Sequence, residues 1–151
     1  MKKNAVTSLI LMLLIFGAIT TYAQIRKIPA EVTEALKVKY PDAENVSWKD
    51  KLSVFAASFE MNNEKYEARF TDKGEWKSTE KEITENDLPD QVKDGLEKSK
   101  YADWEMKYVY FIELPDEETQ YRIQVAKNEI QKKNLLFSNE GQLLKDNITW
   151  K

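Results

Sequence analysis

Ile28-Pro29-Ala30-Glu31-Val32-Thr33-Glu34-Ala35-Leu36 is answered sixty positions later by Leu88-Pro89-Asp90-Gln91-Val92-Lys93-Asp94-Gly95-Leu96. Both stretches open on an apolar residue and a proline, and both set Val and Leu four residues apart, the spacing of one helix face. Proline suits the start of a helix, where its missing N–H costs nothing. Each stretch is followed by aromatic-rich segments that alternate apolar and polar residues, the pattern of strands with one buried face. Self-similarity at a fixed offset sets the architecture before anything else. The expected fold class is α+β, with two tandem repeats, each a short helix packed on an antiparallel four-stranded meander sheet.

The repeats are expected at residues 24–83 and 84–151. In the first, Pro41 ends the helix near Tyr40. Strands are then predicted over 46–49, 53–61, 65–71 and 76–83. Phe55, Ala57, Phe59 and Met61 share one face of the second strand. Tyr66, Ala68 and Phe70 alternate with Lys65, Glu67 and Arg69 on the third. Asn62-Asn63 and Asp72-Lys73-Gly74-Glu75 are hairpin signals. In the second repeat, strands are predicted over 103–114, 120–126, 132–138 and 142–148, with Asn139-Glu140-Gly141 matching the earlier glycine turn. Gly95 weakens the second helix by about 1 kcal/mol of propensity, which suggests a close approach to the sheet there. On the long strand, Trp104, Met106, Tyr108, Tyr110 and Ile112 alternate with Val109 and Phe111.

Residues 1–23 read as a secretory signal. Lys2 and Lys3 precede the unbroken apolar run Leu9 to Phe16, and Thr21-Tyr22-Ala23 offers a cleavage site after Ala23. The run is short for a membrane span, so no stable membrane insertion is expected after cleavage, and the protein is placed in the periplasm or outside the cell. Removing residues 1–23, which hold two of the 23 basic residues and no acid, leaves 21 basic against 26 acidic residues, a charge of −5. Lysines and glutamates interleave along the chain. Nothing favours nucleic acid or anionic lipid as a partner.

The sequence has no cysteine. Small exported units usually rely on disulfides, and a unit of about 60 residues is marginal alone. The two repeats are therefore expected to dock, sharing a core or one continuous sheet.

With no histidine and no cysteine, the chain lacks the commonest general base, the commonest metal ligand and the best side-chain nucleophile. Its carboxylates fall in turns, as in Asp116-Glu117-Glu118, or on the wet faces of strands, where solvated charge is the simple reading. The acidic turn lacks the ligand spacing of a calcium loop. No enzymatic activity, metal or cofactor is expected.

The aromatic residues are the distinctive set. Trp48 and Trp104, near strand starts, read as core. Both faces of the long strand carry large apolar residues, and a helix can cover only one of them. The other is either buried against the first repeat or exposed as a tyrosine-rich binding surface. The candidate partner-binding residues are Trp76, Tyr108, Tyr110 and Tyr121 as anchors, with Lys65, Glu67 and Arg69 as a charged rim. The expected function is a non-enzymatic binding module for another envelope or secreted protein. A small-ligand or peptide carrier, which would need an enclosed pocket, is the alternative.

Tyr40-Pro41-Asp42-Ala43-Glu44-Asn45-Val46-Ser47-Trp48, Tyr66-Glu67-Ala68-Arg69-Phe70 and Asp72-Lys73-Gly74-Glu75-Trp76 resemble the PepSY-like family of small exported bacterial proteins. In the second repeat, Lys100-Tyr101-Ala102-Asp103-Trp104 departs from the Tyr-Pro-Asp-Ala run. The resemblance implies a fold like that of the beta-lactamase inhibitor protein. By analogy it also implies inhibition or regulation of an envelope peptidase or hydrolase, although fold alone does not carry function.

Overall fold

The computed structural model describes residues 27–148. The expected signal sequence, the residues just after it and Trp150 lie outside the described residues. The protein is α+β. Among the described residues, two helices lie against one eight-stranded sheet in which each strand is antiparallel to the next, in the order β1 to β8. The elements are α1 (Ala30–Lys39), β1 (Glu44–Asp50), β2 (Phe55–Met61), β3 (Glu64–Phe70), β4 (Trp76–Ile83), α2 (Asp90–Glu97), β5 (Glu105–Glu113), β6 (Thr119–Ala126), β7 (Lys132–Ser138) and β8 (Leu143–Ile148). Single 3-10 turns occupy Glu85–Asp87 and Pro115–Glu117.

The helices start where their prolines dictate. The Pro29 carbonyl accepts the Val32 and Thr33 N–H groups, and Pro89 does the same for Val92 and Lys93. The prolines stand at the cap position, one residue before the first helical turn. Lys37 and Lys39 meet the negative end of the α1 dipole. Each helix buries its Val and Leu. Val32 and Leu36 pack on Phe55, Ala57, Phe59, Ala68 and Phe70. Val92 and Leu96 pack on Val109, Tyr121, Ile123, Val125, Leu135 and Phe137.

Strand register places both helices on the same side of the sheet. Ala68 under α1 pairs with Thr79, Thr79 pairs with Glu113, and Val109 under α2 lies on the same face as Glu113. The β4–β5 pairing, from Thr79↔Glu113 to Ile83↔Val109, makes the sheet continuous. The charged segment 80–87 is accordingly not a free linker. Residues 80–83 finish β4, and Thr84 caps the 3-10 turn through Asp87, which accepts both its N–H (3.0 Å) and its O–H (2.7 Å).

Two turns are built as the sequence suggests. Asn62 and Asn63 both adopt positive φ (54° and 63°), which fits the twist of a tight hairpin. Gly141 (φ 83°) touches the first turn of α2, where a Cβ would stand 1.9 Å from the Gln91 carbonyl oxygen. Gly95 does approach its surroundings closely, but what it meets is the β7–β8 turn. A Cβ there would lie 2.1 Å from the Gly141 oxygen.

The predicted alternation of the long strand is corrected in one respect. The register shifts between Met106 and Tyr108, so Lys107 is an extra residue in a β-bulge, and a bulge switches the face on which later residues point. Trp104 and Met106 pack against the core under α2. Tyr108, Tyr110 and Ile112 fall on the opposite face, while Val109 and Phe111 take the helix side.

Candidate protein-binding face

Among the described residues, no helix or strand covers the side of the sheet opposite the two helices. Residues alternating with the core positions point into it: Ala56, Ser58 and Glu60 on β2, Lys65, Glu67 and Arg69 on β3, Ser78, Glu80 and Glu82 on β4. Tyr108, Tyr110 and Ile112 follow on β5, and Gln120, Arg122 and Gln124 on β6. Register lines up a row across five strands, Glu82, Tyr110, Arg122, Leu136 and Lys145.

A charged network crosses the middle of this face. The Arg122 guanidinium lies 3.9 Å from the centre of the Tyr110 ring. It donates to Glu80 Oε1 at 2.9 Å and to Asn134 Oδ1 at 3.3 Å. Arg69 donates to Glu67 Oε1 at 2.7 Å and reaches the same Glu80 oxygen at 3.4 Å. The Glu80 side chain is only 11 % exposed, and its Oε2 has no hydrogen-bond partner among the described residues. One carboxylate on β4 thus ties β3 to β6. Burial raises the Tyr110 phenol above its ordinary range, with the Arg122 charge opposing.

The structure separates the sequence-derived candidates. Tyr108, half exposed, and Tyr110 share the uncovered face with Lys65, Glu67 and Arg69. Tyr121 and Trp76 do not. Tyr121 is 7 % exposed within the core under α2, where its ring meets Phe111 edge-on at 5.7 Å. Trp76 sits on the helix side, its indole N–H donating to Thr79 Oγ1 at 2.8 Å and its ring under Lys39 Nζ at 3.5 Å. Both pair on strands whose alternation puts them with the core residues. Sequence reasoning missed Glu80, Arg122, Asn134 and Lys145. The signal was present in Gln120-x-Arg122-x-Gln124, a polar set at strand spacing, but that spacing does not say which strands lie alongside.

The helix side carries a cleft as well. Beside the 3-10 turn before α2 it opens a space of about 670 Å³, lined by Glu64, Lys81, Glu82, Ile83, Phe111 and Tyr121 among others. An adjoining hollow of about 270 Å³ reaches Tyr40, Met61 and Tyr66. Its polar groups largely satisfy one another. Lys81 bridges both Glu64 oxygens (3.1 and 2.9 Å), and the Tyr66 hydroxyl donates to Glu64 at 2.6 Å. That bond pushes the Tyr66 pKa up to about 12 and holds Glu64 below the usual carboxylate range. The Tyr40 hydroxyl, raised to about 12 chiefly by burial, lies 2.5 Å from Thr79 Oγ1.

Residues 53–145 match the family described as "Putative beta-lactamase-inhibitor-like, PepSY-like". The chain belongs to the PepSY-like family. The matched residues begin after the Tyr40–Trp48 run and continue through β7 into β8, so they include the second half, whose loop departs from the family pattern. Solved structures share this fold. A BLIP-like protein from Bacteroides fragilis is 28% identical, with a TM-score of 0.68 over 83% of this chain and 90% of its own. A Bacteroides eggerthii protein, described as one of the "putative periplasmic proteins", is 27% identical, with a TM-score of 0.72 over 82% and 90% of the two chains. A DUF2874 family protein from Bacteroides uniformis is 25% identical, with a TM-score of 0.72 over 80% and 88%. No curated protein matches the sequence. The family and these neighbours are inhibitor-like or uncharacterised and are not described as enzymes.

Proposed function

We propose that this PepSY-like protein is a non-enzymatic exported binding module that recognises another envelope or secreted protein through the uncovered face of its sheet. The observation that carries the reading is an eight-stranded sheet with both helices on one side, leaving Tyr108 and Tyr110 on the other. Tyrosines give large, rigid contact area with a polar handle. The surrounding Lys65, Glu67 and Arg69 act on orientation and association rate more than on affinity. The inhibitor-like family description supports restraint of an envelope peptidase or hydrolase as the specific form. A neighbour described as periplasmic supports export, with cleavage after Ala23. Residues 24–83 and 84–151 act as two helix-and-meander repeats. In support, Gly74 meets Glu31 on the first turn of α1, as Gly141 meets Gln91 on the first turn of α2.

Affinity capture from an envelope extract tests the reading, comparing the wild type with a Tyr108→Ala/Tyr110→Ala variant checked for folding. The expected result is a protein retained by the wild type and lost by the variant. Retention of the same protein by both moves recognition away from this face.

The helix-side cleft favours a second reading, the small-ligand or peptide carrier. Its space of about 670 Å³ falls within the range of ligand pockets. A small molecule that co-purifies with both proteins, with no protein retained, would put the carrier reading first.

A further inference from the structure

The geometry points to a pit in the uncovered face as the seat of an acidic side chain, Asp or Glu, presented by the partner protein. This rests on the reading of that face as the binding surface. The pit holds about 270 Å³. Arg69, Arg122 and Lys145 line it with one carboxylate, Glu80, and with Ile112 and Leu136 among its apolar walls. With Glu67, which Arg69 holds at 2.7 Å just outside the pit, three cations stand against two anions and leave it one positive charge, in a chain whose residues after 1–23 sum to −5.

The charge is also divided across the face. β1 to β4 present Glu44, Glu60, Glu67, Glu80 and Glu82 against Lys49, Lys65 and Arg69, with Lys77 in the β4 bulge paired to Glu75. On β5 to β8, Lys107, Arg122, Lys132 and Lys145 stand against Glu105 alone. Lys107 pairs with that acid, and Lys145 has no ion pair among the described residues. Arg122 needs no reorganisation to act as a donor. Tyr110 beneath it and Glu80 beside it fix its plane, and a guanidinium held that way suits a carboxylate better than a flexible ammonium does. The apolar walls reduce the water around the cations and so strengthen the attraction. Glu80, already shared between two arginines, orients the cations without cancelling them.

The probe is N-acetyl-glutamate N-methylamide, whose side chain carries its only charge, titrated into isotope-labelled protein and followed by amide chemical shifts. The neutral N-acetyl-glutamine N-methylamide is the control. The expected result is saturable shifts confined to residues around 112, 122, 136 and 145. Affinity should fall at least about tenfold for the glutamine compound and several-fold in Lys145→Gln, whose exposed side chain makes misfolding no explanation; an Arg122→Gln variant should lose more. Equal shifts with both compounds, or an unchanged affinity in Lys145→Gln, overturns the assignment. If the carboxylate does not bind while Tyr108→Ala/Tyr110→Ala still loses a protein partner, this inference fails and the binding-face reading stands. If the carboxylate binds and no protein is retained by the wild type, the partner as its source is overturned together with that reading.

Discussion

Arg122 on β6 reaches across β5 to donate to Glu80 on β4, at 2.9 Å. The bond spans the join between the first four strands and the last four. Arg69 on β3 reaches the same oxygen from the other side, so the middle of the sheet is held by backbone pairing and by one shared carboxylate.

Replacing Glu80 with Gln should therefore destabilise the fold by on the order of 2 kcal/mol. A fully buried broken pair costs more, but both arginines keep some contact with water, which screens the loss. Urea unfolding of the variant checks this. A midpoint equal to that of the wild type would mean that the network contributes nothing.

The β7–β8 turn fits tightly against α2. Alanine at Gly141 would force a Cβ against the Gln91 carbonyl at positive φ, and alanine at Gly95 would meet Gly141 itself. Each should cost about 2–3 kcal/mol or more, as overpacking and backbone strain do. Gly74→Ala, with 2.6 Å to the Glu31 oxygen, should cost less than Gly141→Ala. Thermal unfolding of the three variants gives the order.

Titration should affect stability at both ends of the pH scale. Asp146 accepts a hydrogen bond from Tyr101 at 2.5 Å and pairs with Lys100 at 2.9 Å; the tyrosine bond first and the lysine second hold its carboxyl down to about 2. Because the folded pKa is depressed, this contribution is present above the unfolded value near 3.8 and is lost as pH falls towards 2. Tyr40 and Tyr66 run the other way. Their folded pKa values near 12 stand above 10.0, so their contribution is intact below pH 10 and is lost as pH rises through 12. Denaturation midpoints against pH should fall at both ends. Asp146→Asn should flatten the acid limb; because Asp146 also raises Lys100, it should trim the alkaline limb too, while the part owed to Tyr40 and Tyr66 remains.

Cutting the sheet at its centre should leave neither part stable. Residues 24–82 alone would expose the β4 edge that pairs with β5 and would lack Arg122. A unit of about 60 residues without disulfides is marginal in any case. The half-chain should show no cooperative thermal transition. A sharp transition at the full-length temperature would contradict a shared sheet.

The elements were readable because their signals are local. Val32 and Leu36 mark a helix face, Asn62-Asn63 marks a tight turn, and the alternation in β2 and β3 assigns Phe59 and Arg69 to opposite sides without reference to any other strand. The face of Tyr108 and Tyr110 depended on a single extra residue, Lys107, whose bulge leaves no mark in composition. That Tyr121 and Trp76 lie on the helix side and not on the uncovered face is hidden for a related reason. An aromatic side chain at strand spacing looks the same whether a helix covers it or not, and only the register across β3 to β7 decides. The Arg69–Glu80–Arg122 network was hidden most completely, since residues 42 positions apart meet only once the strand order is known.

Site-specific photo-cross-linking in native cells tests the central claim most directly. A benzophenone amino acid at Tyr108, on the uncovered face, is compared with one at Thr33, a partly exposed position of α1. The account predicts one discrete protein adduct from position 108, absent from position 33 and reduced by the Tyr110→Ala change. Adducts from position 33 with none from 108, or no adduct from either, would contradict recognition through the open face of the sheet.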